Sequence, residues 1–331
     1  MGATTAIRGL FDHRALPYHD RDELLESVAP FVREGAEVGD PVVVILPAET
    51  LAALLPLLGP AAVAPHVRLI EAEAAARNPG ALLATWQEFT DDLHHRARPG
   101  RAVAETFRVD RSEAELAECL HYEAQLNLAF FSTSAIWTLL CPVDVSTLDM
   151  RSLEAAIRAH PHLHLDGRSR PNVSYVHPGT AAALEPAPLE PAPDGATSVE
   201  FDPSTIGAAR RRVGELATAG GLDDDRAADL VLAVGELGAN SIVHGGGAGV
   251  VRMWTTPDAV VCDVVDHGWI ADPLAGTRRP AATADRGRGL WLVHALCDLV
   301  QVRSDPHGTM VRVVMHRAAP PSSAHPAGGA A

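Results

Sequence analysis

The sequence lacks the features that mark secreted and membrane-spanning proteins. Its four cysteines are scattered and form no CxxC pair, so neither a disulfide framework nor a zinc site is indicated. No basic-then-apolar signal opens the chain, and no apolar run reaches the ~18 residues that a membrane span requires. These absences predict a cytoplasmic protein with buried thiols, and no association with a membrane.

Positive charge is scarce as well. The chain has 27 Lys and Arg residues against 42 Asp and Glu residues, a net charge of −15. Such an acidic protein repels the phosphate backbone and anionic lipids, so direct nucleic-acid binding is not expected, whereas a basic protein partner would suit it. A hydrophobic fraction of 47% is typical of globular proteins, and 331 residues are enough for two domains.

Two segments of low complexity divide the chain. The stretch ALEPAPLEPAPDGATS, within residues 179–198, alternates proline and alanine with scattered acids, which is typical of a stiff interdomain linker. Residues 318–331 are rich in alanine, proline and glycine, and are predicted to form a disordered tail. The remaining segments, 10–178 and 199–317, are therefore the two predicted domains.

The first domain alternates predicted strands with predicted helices, which indicates an α/β layer. Its clearest strand is Val42–Leu46, a continuous apolar run of the kind that is buried on both faces of a parallel sheet. The domain contains neither GxxxxGK[ST] nor GxGxxG after a strand, so no phosphate-binding loop is indicated.

Histidine is the one chemically distinctive residue type of this domain. The spacing does not match the HExxH pattern of helix-borne metal sites, so surface or capping roles are favoured over metal binding. Glu123 and Asn127 lie four residues apart on a predicted helix, where they are interpreted as a packing or capping pair. The histidines concerned are His13, His19, His121, His160, His162 and His164.

In the second domain, residues 229–247 form a predicted helix that ends in three glycines. Glu236 and Asn240 are four residues apart and share one face of it. Mg²⁺ prefers oxygen ligands, and phosphoryl transfer needs a carboxylate that accepts a proton or orients a nucleophile. Taken alone, the segment is equally compatible with two solvated polar residues on a surface helix.

Three further motifs follow in the same domain. The first places a carboxylate and a glycine at a strand end. The carboxylate can accept a hydrogen bond from the adenine amino group, and the glycine lets the backbone pass close to the ring. The second exposes backbone amides at a helix N-terminus, a natural phosphate site, and the third offers a hydroxyl. The motifs are Asp266-x-Gly268, Gly287-Arg288-Gly289-Leu290 and Gly308-Thr309.

The order of these motifs resembles the N, G1 and G2 boxes of the GHKL ATPase superfamily. Within it, ELGANSIVHG, DHG and GRGLWLVHALCD resemble the anti-sigma-factor serine/threonine kinases of the RsbW type, over about residues 197–317. The implied fold is the Bergerat α/β sandwich. Gly238 departs from the helix former expected inside the Glu–Asn turn, at a cost of up to ~1 kcal/mol, and indicates close packing.

This resemblance implies residue roles in an ATP and Mg²⁺ site. Glu236 would be the catalytic base for a protein serine or threonine hydroxyl, and Asn240 would coordinate Mg²⁺. Asp266 and Gly268 would hold adenine. The segment from there to Gly287 would be the ATP lid. The remaining implied cofactor-binding residues are Arg286, Arg288, Gly289, Leu290, Gly308 and Thr309.

The first domain resembles the MEDS sensory domain. The resemblance rests on HRALPYHDRDELLESVAPFVREGAEVGDPVVVIL, HYEAQLN, LLCPVD and His160-Pro161, and covers about residues 10–178. It implies a RecA-like α/β layer that receives a signal, such as a small molecule, and is fused to kinases of this type. A sensing pocket would involve His13, Tyr18, Glu123 and Asn127; the alternative is that these residues hold strand ends and helix caps.

Together the two resemblances imply an enzyme that regulates transcription. It would phosphorylate an anti-sigma antagonist protein and sequester a sigma factor, and the family implies a homodimer. Two alternatives stay open: a catalytically inactive, nucleotide-gated module that binds a sigma factor, and a histidine-kinase-like two-component regulator. The second lacks support, because no segment resembles a histidine-bearing dimerisation helix.

Overall fold

The computed structural model describes residues 10–75, 78–108, 110–177, 186–280 and 287–317, which fall into two units. The first unit takes the chain up to Leu189 together with Ile270–Ala295, and the second takes Glu190–Trp269 and the residues from Leu296 onwards. The lid segment defined by the sequence motifs is thus grouped with the N-terminal unit. The predicted tail and residues 179–185 of the predicted linker lie outside the described residues.

The first unit is a seven-stranded sheet with the order β3-β2-β4-β5-β1-β6-β7. Its neighbouring strands are parallel except for the final pair, β6 and β7. The strands are β1 (Phe11–Tyr18), β2 (Val42–Leu46), β3 (Val67–Glu71), β4 (Gly100–Ala104), β5 (Trp137–Asp144), β6 (His162–Leu165) and β7 (Arg168–Pro171). The helices are α1 (Arg21–Val38), α2 (Ala48–Leu58), α3 (Ala72–Ala75), α4 (Leu82–Arg96), α5 (Glu113–Phe130) and α6 (Met150–Arg158).

Apolar strands and well-capped helices explain this layer. All five residues of β2 are buried, as the continuous apolar run predicts. Asp20 caps α1 by accepting a hydrogen bond from the backbone N–H of Glu23 at 2.9 Å, and Ser112 forms a capping box with Glu115 at the start of α5. The α/β class predicted for this domain is confirmed.

One central strand was not predicted from the sequence. β1 lies between β5 and β6, although Asp12, His13, Arg14 and Pro17 interrupt its apolar pattern. Burial of β1 is uneven along its length, so it lacks the continuous apolar run that made β2 recognisable. Of these polar residues, His13 is completely buried, whereas Asp12 and Arg14 are half-buried.

The second unit contains a five-stranded antiparallel sheet, in the order β11-β12-β10-β9-β8, and two long helices. Gly238 lies where the helices approach closely, since a Cβ there would be 2.5 Å from Cδ1 of Ile206. The elements from this part of the chain are β8 (Thr197–Phe201), α7 (Ile206–Ala219), α8 (Asp224–His244), β9 (Gly249–Thr255), β10 (Ala259–Asp266), α9 (Gly289–Leu296), β11 (Leu299–Asp305) and β12 (Gly308–His316). In the described ranges, no helix is long and apolar enough to cross a bilayer.

A buried ion pair links β10 and β12. Asp263 and Arg312 are partners in the antiparallel register. Nε and Nη2 of Arg312 donate to the two carboxylate oxygens of Asp263 at 2.7 and 2.9 Å, and the guanidinium lies 4.8 Å from the ring centroid of Trp254. Asp263 is fully buried, so Arg312 compensates for the water that its carboxylate has lost.

Replacing one residue of this pair should therefore lower the free energy of unfolding far more than replacing both residues. Arg312→Leu should lower the free energy of unfolding by about 3–5 kcal/mol, because it leaves an unpaired buried carboxylate. Asp263→Leu combined with Arg312→Leu should recover most of that loss. Urea unfolding of the full chain measures both effects.

The matched control is Arg212→Leu, which breaks the exposed 2.9 Å pair with Glu215. It should change stability by less than ~1 kcal/mol. A loss at Arg312→Leu no larger than at Arg212→Leu would contradict the importance of the buried pair.

Candidate functional site

Asp266 is the centre of a polar site in the second unit. It ends β10, and its Oδ2 accepts a hydrogen bond from Oγ of Ser241 at 2.6 Å. Its Oδ1 accepts one from the backbone N–H of Gly268 at 2.7 Å. Each carboxylate oxygen has two lone pairs, so both retain acceptor capacity after these bonds form. The carboxylate is therefore held in one orientation and can still receive a ligand's N–H.

Ser241 was missed as a site residue by the sequence analysis. It falls on the apolar side of α8, and it is buried there. Its hydroxyl also lies 3.1 Å from the carbonyl of Leu237, one turn earlier. The available signal was a single hydroxyl on an otherwise apolar helix face, five residues after Glu236.

Glycines allow the end of α8 to approach Asp266. A Cβ at Gly245 would lie 2.4 Å from Cγ of Asp266, and one at Gly268 would lie 2.8 Å from the carbonyl oxygen of His244. Both positions are too crowded for any side chain. The crowding at Gly268 comes from the helix end, so the predicted contact of this glycine with an adenine ring stays a prediction.

Thr309 connects the first and third sequence motifs. It is opposite Asp266 in the register of β10 and β12. Its Oγ1 donates to the carbonyl oxygen of Gly268 at 2.8 Å and lies 2.7 Å from Oγ of Ser304. The structure thus brings Asp266, Gly268, Gly308 and Thr309 together at one end of the antiparallel sheet.

Glu236 and Asn240 lie on α8, the helix that supplies Ser241. Both are half-buried. Their spacing places them on one face, about one turn apart, as the sequence predicts. His244, one turn further along, is exposed at the helix end.

The glycine motif before α9 belongs to the other unit. Gly287 is exposed and has a φ of 86°, and Gly289 is the first residue of α9. The carbonyl of Arg288 accepts the N–H of Leu292 at 2.8 Å, and Leu290 is buried. Arg286 lies outside the described residues.

Within the first unit, the segment Ile270–Ala295 is hydrogen-bonded to the N-terminal part of the chain. Nδ2 of Asn78 donates to the carbonyl of His294 at 2.9 Å, and Nε2 of Gln125 donates to the carbonyl of Pro273 at 2.7 Å. Nη1 of Arg279 lies 2.5 Å from Oε1 of Glu88. Burial, together with the nearby His121, lowers the pKa of His294 to about 4, so this imidazole is neutral at pH 7.

Two family models match the sequence. One is MEDS, the methanogen/methylotroph DcmR sensory domain, over residues 12–161, and the other is the histidine kinase-like ATPase domain, over residues 199–315. The chain joins a MEDS domain to a histidine kinase-like ATPase domain. The GHKL-type α/β sandwich predicted for the second domain is thereby confirmed.

Other comparisons are more distant. No curated protein matches the sequence. Among solved structures, the chain is similar to the RsbU and RsbW domains of Rv1364c from Mycobacterium tuberculosis, with 21% identity and a TM-score of 0.29. That alignment covers 39% of this chain and 34% of the other, so the chain spans about a third of that protein's length.

The candidates for a sensing pocket in the MEDS domain divide into two places. His13, Glu123 and Asn127 lie together, with Nδ1 of His13 3.0 Å from Oδ1 of Asn127. Tyr18 instead donates to Oε1 of Glu105 at 2.6 Å. The expectation of surface or capping histidines is wrong for His13, which is completely buried within the sheet. His160 is also completely buried, but its Nδ1 donates to the carbonyl of Ala156, which is the capping role that was expected. β1 carries His13 into the interior, and His160 enters it from the residues after α6.

Glu105 makes the MEDS domain's stability depend on pH. Burial raises its pKa from 4.5 to about 7, against the lowering effects of Tyr18 and Arg108. The folded state thus holds this proton more tightly than the unfolded state, and stability is lost as pH rises from about 4.5 to about 7. Glu105→Gln should remove that loss while its carbonyl still accepts from Tyr18.

The variant's stability relative to the unmodified chain should therefore increase between pH 5 and pH 8, by on the order of 2 kcal/mol. Urea unfolding at four pH values in this range measures the difference. The matched control is Glu26→Gln, which removes an exposed carboxylate of α1. A flat profile for Glu105→Gln would contradict the raised pKa.

Proposed function

We propose that this protein is an ATP- and Mg²⁺-dependent serine/threonine protein kinase that acts on an anti-sigma antagonist protein. In this proposal it also sequesters a sigma factor, works in the cytoplasm as a homodimer, and responds to a signal at the MEDS domain. The observation that carries the proposal is the held carboxylate of Asp266, combined with the half-buried Glu236 and Asn240 on the helix that holds it.

Adenine recognition follows from the orientation of Asp266. Ser241 and the backbone N–H of Gly268 each occupy one lone pair, which fixes the plane of the carboxylate before a ligand arrives. The free lone pairs can accept a hydrogen bond from the adenine amino group, whereas guanine would present a carbonyl oxygen there. A site built this way favours ATP over GTP.

Phosphoryl transfer requires a metal ligand and a proton acceptor. Asn240 offers the oxygen ligand that Mg²⁺ prefers, and bound Mg²⁺ neutralises phosphate charge. Glu236 would accept the proton of the substrate hydroxyl as its oxygen bonds to the γ-phosphorus and the bond to ADP breaks. Half-burial suits both roles, since it limits water around the carboxylate without removing access to a protein substrate.

The segment Ile270–Ala295, which includes most of the proposed ATP lid, is grouped with the MEDS domain. This grouping supports a route by which a signal at the MEDS domain would reach the lid. The segment that carries the phosphate-binding motif is held by Asn78, Glu88 and Gln125 of that domain. In the proposed function, a change in α4 or α5 on signal binding would alter the position of the lid.

Glu236→Gln should abolish phosphate transfer without abolishing ATP binding. Loss of a general base typically costs 10²–10⁴-fold in rate, while the amide preserves the shape of the side chain. The assay uses γ-labelled ATP, the full chain and each antagonist-type protein of the source organism, and detects acid-stable phosphate on serine or threonine. Glu215→Gln on α7, an exposed carboxylate, should transfer phosphate normally.

Three results would contradict parts of this proposal. Unchanged transfer by Glu236→Gln would remove the assigned base. ATP binding by the unmodified chain without transfer to any antagonist would establish a nucleotide-gated binding module. Acid-labile phosphohistidine would establish a two-component regulator.

Asp266→Asn should instead weaken ATP binding. The substituted amide presents N–H groups to the adenine amino group, so affinity should fall at least ~10-fold and the preference for ATP over GTP should narrow. Ser241→Ala should cause a smaller loss, since it only frees the carboxylate to rotate. Calorimetric titration with both nucleotides measures these changes, and unaltered ATP affinity in Asp266→Asn would exclude Asp266 from the adenine pocket.

A further inference from the structure

Four metal-ligating side chains meet inside the MEDS domain. His13 comes from β1, Glu123 from α5, Cys141 from β5 and His160 from the residues after α6, and all four are buried. One ligand atom of each lies within 4.8 Å of those of the other three.

Three of the six separations among these atoms are close to those expected between ligands of one cation, and all six are within 4.8 Å. Nε2 of His13 lies 3.1 Å from Oε2 of Glu123 and 3.3 Å from Sγ of Cys141. Nε2 of His160 lies 3.6 Å from the same Oε2. Ligands at zinc-like bond lengths of 2.0–2.3 Å form a tetrahedron with edges of about 3.3–3.8 Å.

A hydrogen bond between Nδ1 of His13 and Asn127 fixes the orientation of the His13 ring. Nδ2 of Asn127 donates to the carbonyls of Glu123 and Ala159 at 3.0 and 2.8 Å, which sets the direction of the amide. Oδ1 of Asn127 must then accept a hydrogen bond from Nδ1 of His13 at 3.0 Å. In the neutral imidazole, Nε2 of His13 then carries the lone pair and faces the cluster, as in histidines that bind a metal.

The other two polar groups are held in the same manner. Nδ1 of His160 donates to the carbonyl of Ala156 at 2.8 Å, and Oγ1 of Thr106 donates to Oε1 of Glu123 at 2.9 Å. Among the described residues, neither Nε2 of His160 nor Oε2 of Glu123 has a partner that meets hydrogen-bond geometry, although both atoms are buried and Nε2 of His13 lies 3.1 Å from Oε2. Buried polar atoms without partners are costly, and a bound cation would satisfy both.

Charge balance favours a divalent cation. One carboxylate and one thiolate together carry two negative charges, so a cation of charge +2 makes the buried site neutral. Two imidazole nitrogens, one sulfur and one oxygen form a ligand set that suits Zn²⁺ and is poorly suited to Mg²⁺ or Ca²⁺.

We propose that the MEDS domain binds one Zn²⁺ ion through Nε2 of His13, Oε2 of Glu123, Sγ of Cys141 and Nε2 of His160. On binding, the thiol of Cys141 releases its proton to solvent as the sulfur–zinc bond forms, with no change in oxidation state. Four protein ligands leave no open position, so the ion stabilises the domain and ties β1, β5 and α5 together.

The decisive experiment titrates the full chain with metal ions alone. The purified protein is stripped with a chelator, dialysed and titrated with Co²⁺, and then with Zn²⁺. One equivalent of Co²⁺ should give a thiolate-to-cobalt absorption band, which one equivalent of Zn²⁺ should remove. The absence of this band, or of any stoichiometric binding, would overturn the proposal and leave the cluster as a metal-free hydrogen-bonded group.

Variants locate the site. Cys141→Ala should lose the thiolate band and bind Zn²⁺ at least ~100-fold more weakly, and Asn127→Ala should weaken binding about 10–100-fold through the freed imidazole. The matched control is Cys262→Ala, which removes a buried thiol of the ATPase domain and should bind as the unmodified chain does. Loss of the band in Cys262→Ala, or its retention in Cys141→Ala, would overturn the assignment.

Glu123→Gln keeps the experiment informative if a variant unfolds. It replaces a buried charge with a neutral group of the same shape, so the metal-free domain should keep its circular dichroism spectrum while Zn²⁺ affinity falls at least ~100-fold. Unchanged affinity in a folded Glu123→Gln protein would exclude Glu123 as a ligand. None of these readouts depends on ATP, so their outcome is independent of the kinase assay.

Discussion

A carboxylate that leaves water must be given a partner, and this constraint shapes both units of the protein. Asp263 is matched by Arg312 across two strands, Asp266 is held by a hydroxyl and a backbone N–H, and Glu123 lies among two histidines, a threonine and a thiol. The first arrangement is complete within the protein. The other two retain unused acceptor capacity, which is why they are the places where ligands are proposed.

The sequence supported prediction best where a motif was contiguous or evenly spaced. The apolar run of β2 and the helix that carries Glu236 and Asn240 were recognisable from local pattern. Gly238 indicated close packing, and in the structure the neighbour is Ile206 of α7. Local pattern cannot show which distant residues the topology brings together. His13 and Asn127 are 114 residues apart and meet only because β1 lies in the middle of the sheet. The scattered cysteines likewise gave no sign that Cys141 would face two histidines.

The helix α5 contributes one residue to the buried cluster and another that is hydrogen-bonded to the segment Ile270–Ala295. Glu123 contributes to the cluster, and Gln125, two residues later, donates to the carbonyl of Pro273. Residues two apart on a helix point to nearly opposite sides, so one rigid element connects an interior polar group with a segment that carries a sequence motif of the ATPase domain. Because packed helices move as rigid bodies, a small displacement of α5 at Glu123 would also displace Gln125.

The grouping of Ile270–Ala295 with the MEDS domain also bears on how separable the two domains are. The match to the histidine kinase-like ATPase domain covers residues 199–315, which include every motif of the predicted ATP site in one continuous stretch. A fragment cut at the linker would keep all the motifs, yet Pro273 and His294 would lose the side chains of Gln125 and Asn78 that bond them. Chimeras that exchange the N-terminal half would lose the same hydrogen bonds unless the residues that contact this segment were kept.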